Sequence, residues 1–142
     1  MNAVDQMLIE HTCQKLILRY AALTDAGQWS EIADMFTDDA TFARPTAPDE
    51  IIVGRSAILQ AFSARPPAVT QHVVSGIIVE VETPTTASAR SILQLFIGKS
   101  EGDEPVAAHA NAAPLIGTFH DKFVLVDDRW LFSQRHGMLT MK

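Results

Sequence analysis

Two residues offer the first chemistry in this sequence. Asp25 stands in Asp-Ala-Gly at the end of a helical stretch, and His72 stands at the mouth of the β-branched run Gln71-His72-Val73-Val74-Ser75-Gly76-Ile77-Ile78-Val79-Glu80-Val81-Glu82. A carboxylate beside an imidazole can move a proton near neutral pH, which is general acid–base catalysis. Asp25 lies four residues beyond Ala21, itself four beyond Ile17, so it prolongs an apolar helical stripe. The negative end of the helix dipole disfavours a carboxylate there by ~0.3–1 kcal/mol. A carboxylate poised in such a setting suits a general acid or base. Strand alternation puts His72 on one face with Val74, Gly76 and Ile78. A charged ring is unwelcome on that face, whereas a neutral one bonded to Asp25 is placed to shuttle a proton. Gly76 leaves room for a ligand or a sharp bend. The plainer readings are a solvated turn aspartate and a structural histidine bonded to a backbone carbonyl.

Other residues could shape a site around that pair. Asp121 and Arg135 fall on adjacent antiparallel stretches, where they form a structural salt bridge or orient a polar substrate. Tyr20, Trp29, Phe36, Phe62, Phe96 and Phe119 are candidate substrate contacts; together with Phe42 and Trp130 they read as core or pocket wall. His120 alternates away from Phe119, Asp121 and Phe123, which suits a sheet-surface residue, and His11, His109 and His136 suggest no role. The histidines form no H-x-H or H-x-x-x-H cluster, so no zinc site is expected. Gly98-Lys99-Ser100 ends like a phosphate-binding loop, but Leu93 stands where the upstream glycine belongs. Cys13, inside an apolar helix, reads as a buried structural thiol. No cofactor is expected.

The elements that must position Asp25 and His72 are legible. From Val4 to Leu23 most apolar spacings are three or four, a helix with one core-facing stripe that Gly27 stops. A second helix is expected from Ser30 to Phe36, a small strand from Ala40 to Ala43, a loop marked by Pro45 and Pro48, and a third helix capped by Ser56 and ended by Pro66-Pro67. Strands are expected at Val69–Glu82, Thr86–Ile97, Leu115–Val126 and Arg129–His136, with turns at Thr83-Pro84-Thr85 and Asp127-Asp128. Gly98 to Pro114 reads as a loop that could begin a further strand. Helices followed by a meander give an α+β fold, a curved sheet against helices.

The bulk properties narrow the function. With 142 residues, 47% of them apolar and 20% charged, the chain suits one globular domain over 1–142. A formal net charge of −6 argues against a broad basic face for nucleic acid or an anionic membrane. One cysteine forms no intrachain disulfide and suits a reducing compartment. The N-terminus lacks the positive charge of a signal peptide, and no apolar run approaches the ~18 residues of a spanning helix. A cytoplasmic protein is the expectation.

Four segments carry a family resemblance: "YAALTDAGQWSEIADMFTDDATF" from Tyr20, "VGRSAILQAF" from Val53, "QHVVSGIIVEVE" from Gln71, and "GTFHDKFVLVDDRWLFSQR" from Gly117. In this order and separation they resemble the SnoaL-like group of the nuclear-transport-factor-2-like superfamily, over nearly the whole chain. The resemblance implies a cone: a strongly bent, mostly antiparallel sheet, closed by the long helix and two shorter ones, with an apolar pocket inside. It also implies a small hydrophobic ligand and a homodimer formed through the sheet. Members include polyketide cyclases, scytalone dehydratase, ketosteroid isomerase and non-enzymatic binding domains. In the scytalone dehydratase pattern, Asp25 and His72 match an aspartate and a histidine of the site. Thr24 stands where that enzyme has a tyrosine, and Thr86 to Ile97 holds no counterpart of its second histidine. The resemblance therefore implies a lyase- or isomerase-type acid–base enzyme acting on a carbonyl or polyketide-like substrate. Its alternatives are a non-catalytic binding or interaction domain and a structural subunit similar to the β subunit of ring-hydroxylating dioxygenases.

Overall fold

A computed structural model describes residues 1–99, 109–110 and 113–141. Its helices are α1 (Ala3–Ala26), α2 (Trp29–Ala33) and α3 (Arg55–Ser63). Its strands are β1 (Phe36–Arg44), β2 (Ala47–Val53), β3 (Val69–Thr83), β4 (Thr86–Lys99), β5 (His109–Ala110), β6 (Leu115–Val126) and β7 (Arg129–Met141).

Of the apolar stripe expected on α1, Cys13, Ile17, Tyr20 and Ala21 are buried, joined by Thr24, whereas Val4 and Leu8 near its start are 63% and 61% exposed. Asn2 caps the start by accepting from the Asp5 amide at 2.8 Å, and Gly27 ends the helix in the left-handed conformation. α1 packs across β3, while α3 packs on α2 and β1. The sheet runs β2-β1-β7-β6-β4-β3, with β5 paired to β4. Every pairing is antiparallel except β1 with β7, so the sheet is mixed. Register shifts in β1, β3 and β6 mark the bulges that bend it. The architecture is α+β, with a long N-terminal helix and two short ones set against a bent sheet.

The core between helices and sheet is aromatic. Phe36, Phe42, Phe62, Phe123 and Phe132 are at most 1% exposed. Tyr20 is their hub, with its ring centroid 6.0–6.5 Å from those of Phe36, Phe42, Phe62, Phe119 and Phe132. Most of these contacts are edge-to-face, the arrangement the ring quadrupoles favour.

Several boundaries differ from the sequence expectation. β1 begins at Phe36 and absorbs the end expected of the second helix, which stops at Ala33. The segment read as a loop around Pro48 is β2, a short edge strand; an edge tolerates proline because one side of its backbone needs no partner. α3 is preceded by Gly54 rather than capped by Ser56, and no side-chain cap bond forms. β7 runs five residues past His136. β5 lies where a further strand was thought to begin, while the rest of the Gly98–Pro114 loop is mostly outside the described residues. In β3, Gly76 has φ +58° and sits in a register shift between Ser75 and Ile78. The extra residue flips the alternation, so the partly buried side is His72 and Val74, then Ile77, Val79 and Val81. Ile78, expected on the face of His72, points outward and is 48% exposed.

Candidate active site

Asp25 and His72 meet where the end of α1 crosses the start of β3. A carboxylate oxygen of Asp25, Oδ1, lies 2.5 Å from His72 Nδ1. The same Oδ1 accepts from the Thr70 hydroxyl at 2.9 Å. Oδ2 accepts from the His72 backbone amide at 2.9 Å and from Gln71 Nε2 at 3.4 Å. The architecture explains this. β3 is the last strand of the sheet, so alternate amides face away from β4, and the His72 amide uses Asp25 as its partner. One aspartate thus satisfies a sheet edge and fixes an imidazole. The two side chains are 15% and 13% exposed, so the pair is largely withdrawn from water.

The bond at Nδ1 decides what the ring can do. A carboxylate accepts only, so in the neutral ring the Nδ1 hydrogen points at Asp25 and Nε2 carries the lone pair. Among the described residues Nε2 has no hydrogen-bond partner. The His72 ring lines an interior cavity of about 410 Å³. Phe42, Leu93, Leu95, Leu115, Phe119 and Leu139 supply much of its apolar wall. Tyr20, Arg44, Thr46, Arg65, Thr70 and His72 supply its polar groups. Exposed residues at its rim, Thr46, Pro66 and Ala68, mark where it opens to solvent. A separate hollow of about 400 Å³ on the outer face of the sheet is lined by Glu80, Arg90, His120 and Lys122, and neither Asp25 nor His72 reaches it.

The other expected site residues divide between wall and core. Tyr20 and Phe119 line the cavity. Burial pushes the Tyr20 phenol up, with the charges of Arg135 and Arg65 pulling against it. Its hydroxyl therefore keeps its proton and can donate. Phe36 and Phe62 are core, 0% and 1% exposed, and Trp29 stacks on Phe62 with centroids 5.7 Å apart. None of these three lines the cavity. Phe96 lies between Leu95 and Ile97, both on the wall, so alternation turns it to the opposite face of β4. Expecting it as a substrate contact ignored that face.

Asp121 and Arg135 are directly opposite on β6 and β7 and form a buried pair, Arg135 Nη1 to Asp121 Oδ2 at 2.6 Å. Neither lines the cavity. The Arg135 guanidinium lies 3.8 Å from the Phe119 ring centroid and 4.3 Å from that of Tyr20, so it supports two wall residues from behind. Burial pushes the Asp121 carboxyl up, and Arg135 pulls the other way. Four participants were not singled out from the sequence: Thr70 and Gln71 on Asp25, and Arg44 and Arg65 on the cavity wall. Thr70 had a signal, since it shares His72's face two residues away. The arginines had none. Among the described residues no cluster of three potential metal ligands occurs, and no helix is long and apolar enough to cross a membrane.

The family described as the SnoaL-like domain matches residues 5–136. A comparison with curated proteins finds no match. Among solved structures, a provisionally named scytalone dehydratase from Novosphingobium aromaticivorans aligns with a TM-score of 0.80 at 21% identity, over 99% of this chain and 89% of that one. An NTF2-like protein with a cystatin-like fold from the same species aligns with a TM-score of 0.77 at 21% identity, over 97% and 87%. A type 2 hexachlorocyclohexane dehydrochlorinase aligns with a TM-score of 0.81 at 15% identity, over 98% and 90%. At these identities the likeness is one of fold.

Proposed function

This chain belongs to the SnoaL-like domain family, and from that premise we propose that it is an acid–base enzyme of lyase or isomerase type, working without a cofactor on a small hydrophobic carbonyl substrate. The observation that carries the reading is the Asp25–His72 contact at 2.5 Å, with the imidazole on the wall of an apolar cavity. His72 Nε2 takes a proton from a carbon next to the substrate carbonyl. The electron pair left behind moves onto the carbonyl oxygen, where the Tyr20 hydroxyl can donate to it. Expulsion of a β-hydroxyl, which leaves as water with the proton returned by the imidazolium, gives dehydration; return of that proton to another carbon gives isomerisation; attack of the enolate carbon on a second carbonyl, with the proton passed to the new alkoxide, gives cyclisation. Asp25 holds the ring in the required tautomer and balances the imidazolium that forms. Two of the structural relatives are named for eliminations, a dehydratase and a dehydrochlorinase, which favours the lyase form.

The test is deuterium uptake and water loss. Cyclic ketones and β-hydroxyketones are incubated with the protein in D₂O and followed by mass spectrometry. Deuterium enters the α-position, or water is lost, with the wild type. His72→Ala and Asp25→Asn each slow this by about 10²–10⁴-fold while the fold persists. Equal rates in wild type and His72→Ala refute the assignment.

A second reading has one observation in its favour. Asp25 ties down the edge of β3 through Thr70, Gln71 and the His72 amide, which a non-catalytic binding domain would also need. The proposal extends to a cytoplasmic homodimer, which the lone cysteine and the exposed outer face of β3 suit. Val73 and Ile78 there are 43% and 48% exposed.

A further inference from the structure

Two cations on the cavity wall take no part in the proton transfer just described. Arg44 ends β1, and Arg65 stands just past α3, before Pro66. Both line the cavity that His72 faces. Among the described residues Arg44 makes one hydrogen bond, Nη2 to the Ala61 carbonyl at 3.1 Å, and its buried Nε has no acceptor there. Arg65 rests on aromatic faces, 4.0 Å from the Phe62 centroid and 5.9 Å from that of Trp29. Among the described residues neither has a carboxylate partner. The ion pairs there are Arg55–Asp38, His72–Asp25 and Arg135–Asp121.

This is an unusual use of charge. The chain is acidic, with formal net charge −6, so carboxylates are plentiful, yet among the described residues none pairs with the two cavity-facing guanidiniums. Half-buried cations are costly unless paired. Burial lowers the pKa of Arg65; Tyr20 offsets part of that, and the Arg44 charge adds to it. Guanidinium remains charged under any ordinary condition, so the site keeps its positive potential. Stacking on Phe62 holds the Arg65 plane in place, one side-chain hydrogen bond runs to Tyr20, and the remaining edge donors can meet a planar anion.

We propose that Arg44 and Arg65 form a carboxylate clamp, so that the molecule presented to His72 is a ring-containing carboxylic acid. Its apolar body lies against Phe42, Leu93, Leu95 and Phe119, and its carboxylate pairs with the two guanidiniums. This names the substrate class of the site proposed above and rests on that reading for the chemistry, though the clamp binds whether or not proton transfer follows.

Isothermal titration calorimetry with 1-naphthoate and its uncharged twin 1-naphthamide tests the clamp. The wild type should bind naphthoate at least tenfold more tightly than naphthamide. Arg65→Gln and Arg44→Gln should each weaken naphthoate roughly 10- to 100-fold, as for loss of a charged hydrogen-bond partner. Naphthamide binding should change less than about twofold in the same variants. Equal affinity for the two probes in the wild type, binding of neither, or naphthoate binding unmoved in both arginine variants overturns the clamp. The first comparison needs no variant, so a misfolded mutant leaves the test intact. Failure of the clamp with deuterium exchange still dependent on His72 removes this inference alone. Carboxylate selectivity with exchange independent of His72 removes the proton-transfer reading alone.

Discussion

At the scale of single residues, what surrounds each group decides what it can do. Asp25 has its lone pairs occupied by four donors, which suits the orienting role proposed for it; among the described residues His72 has one ring nitrogen bonded and one without a partner. Asp121 is committed to Arg135, and its position behind the wall fits a support role. The Asp25–His72 pair was legible because each residue stood at an element end with a clear period. Arg44 and Arg65 were not, because they stand twenty-one positions apart on different elements and only the folded chain brings them to one cavity. Cys13 is the cleanest titration at this scale. Burial pushes its thiol up to about 12 from 9.0, with the Asp121 charge adding to the effect. The folded state therefore holds this proton more tightly than the unfolded one. Its contribution to stability is complete below about pH 9 and is lost as pH rises toward 12. Iodoacetamide should accordingly label Cys13 very slowly in the native protein at pH 8 and rapidly in urea; fast native labelling would contradict the assignment.

At the scale of elements, boundary errors have physical causes. β2 was hidden by Pro48, Asp49 and Glu50, which look like loop but suit an exposed edge strand. The face of β3 was misread past Gly76 because one inserted residue shifts every later side chain. β7 continues past His136 because it has β6 beside it as far as Ile116 opposite Met141. The close approach of Pro45 to β7 was invisible in the sequence. A Cβ on Gly137 would lie 2.6 Å from Pro45 Cγ and 2.8 Å from Cδ. Pro45 is a cavity wall residue, so the β1–β2 connection is pressed onto the sheet at the site. Gly137→Ala should destabilise the protein by about 1–3 kcal/mol, the usual penalty for overpacking, measured by urea unfolding. An unchanged midpoint would show that Pro45 is free to move.

At the scale of the whole molecule, the fold was legible because it depends on periodicity and order, which a sequence displays directly. The long amphipathic helix, the turns and the two central strands survive as expected, and so does their α+β arrangement. The parallel pairing of β1 with β7 did not declare itself, since it joins strands far apart in the sequence. It is also what closes the cavity: β1 brings Phe42 and Arg44 beside the strand that carries Leu139. The proposed homodimer belongs to this scale. Light scattering after gel filtration should give twice the chain mass, and replacing Val73 and Ile78 with lysine should halve it; a wild-type monomer would contradict pairing through the sheet.

The central claim is that Asp25 sets His72 with its lone pair facing the cavity, and nitrogen-15 NMR of the imidazole reads this directly. In the neutral ring, long-range proton–nitrogen spectra should show His72 protonated at Nδ1 and bare at Nε2. Asp25→Asn should lose that preference. Wild-type His72 carrying its proton on Nε2 would contradict the account, because the nitrogen assigned to take the substrate proton would already hold one.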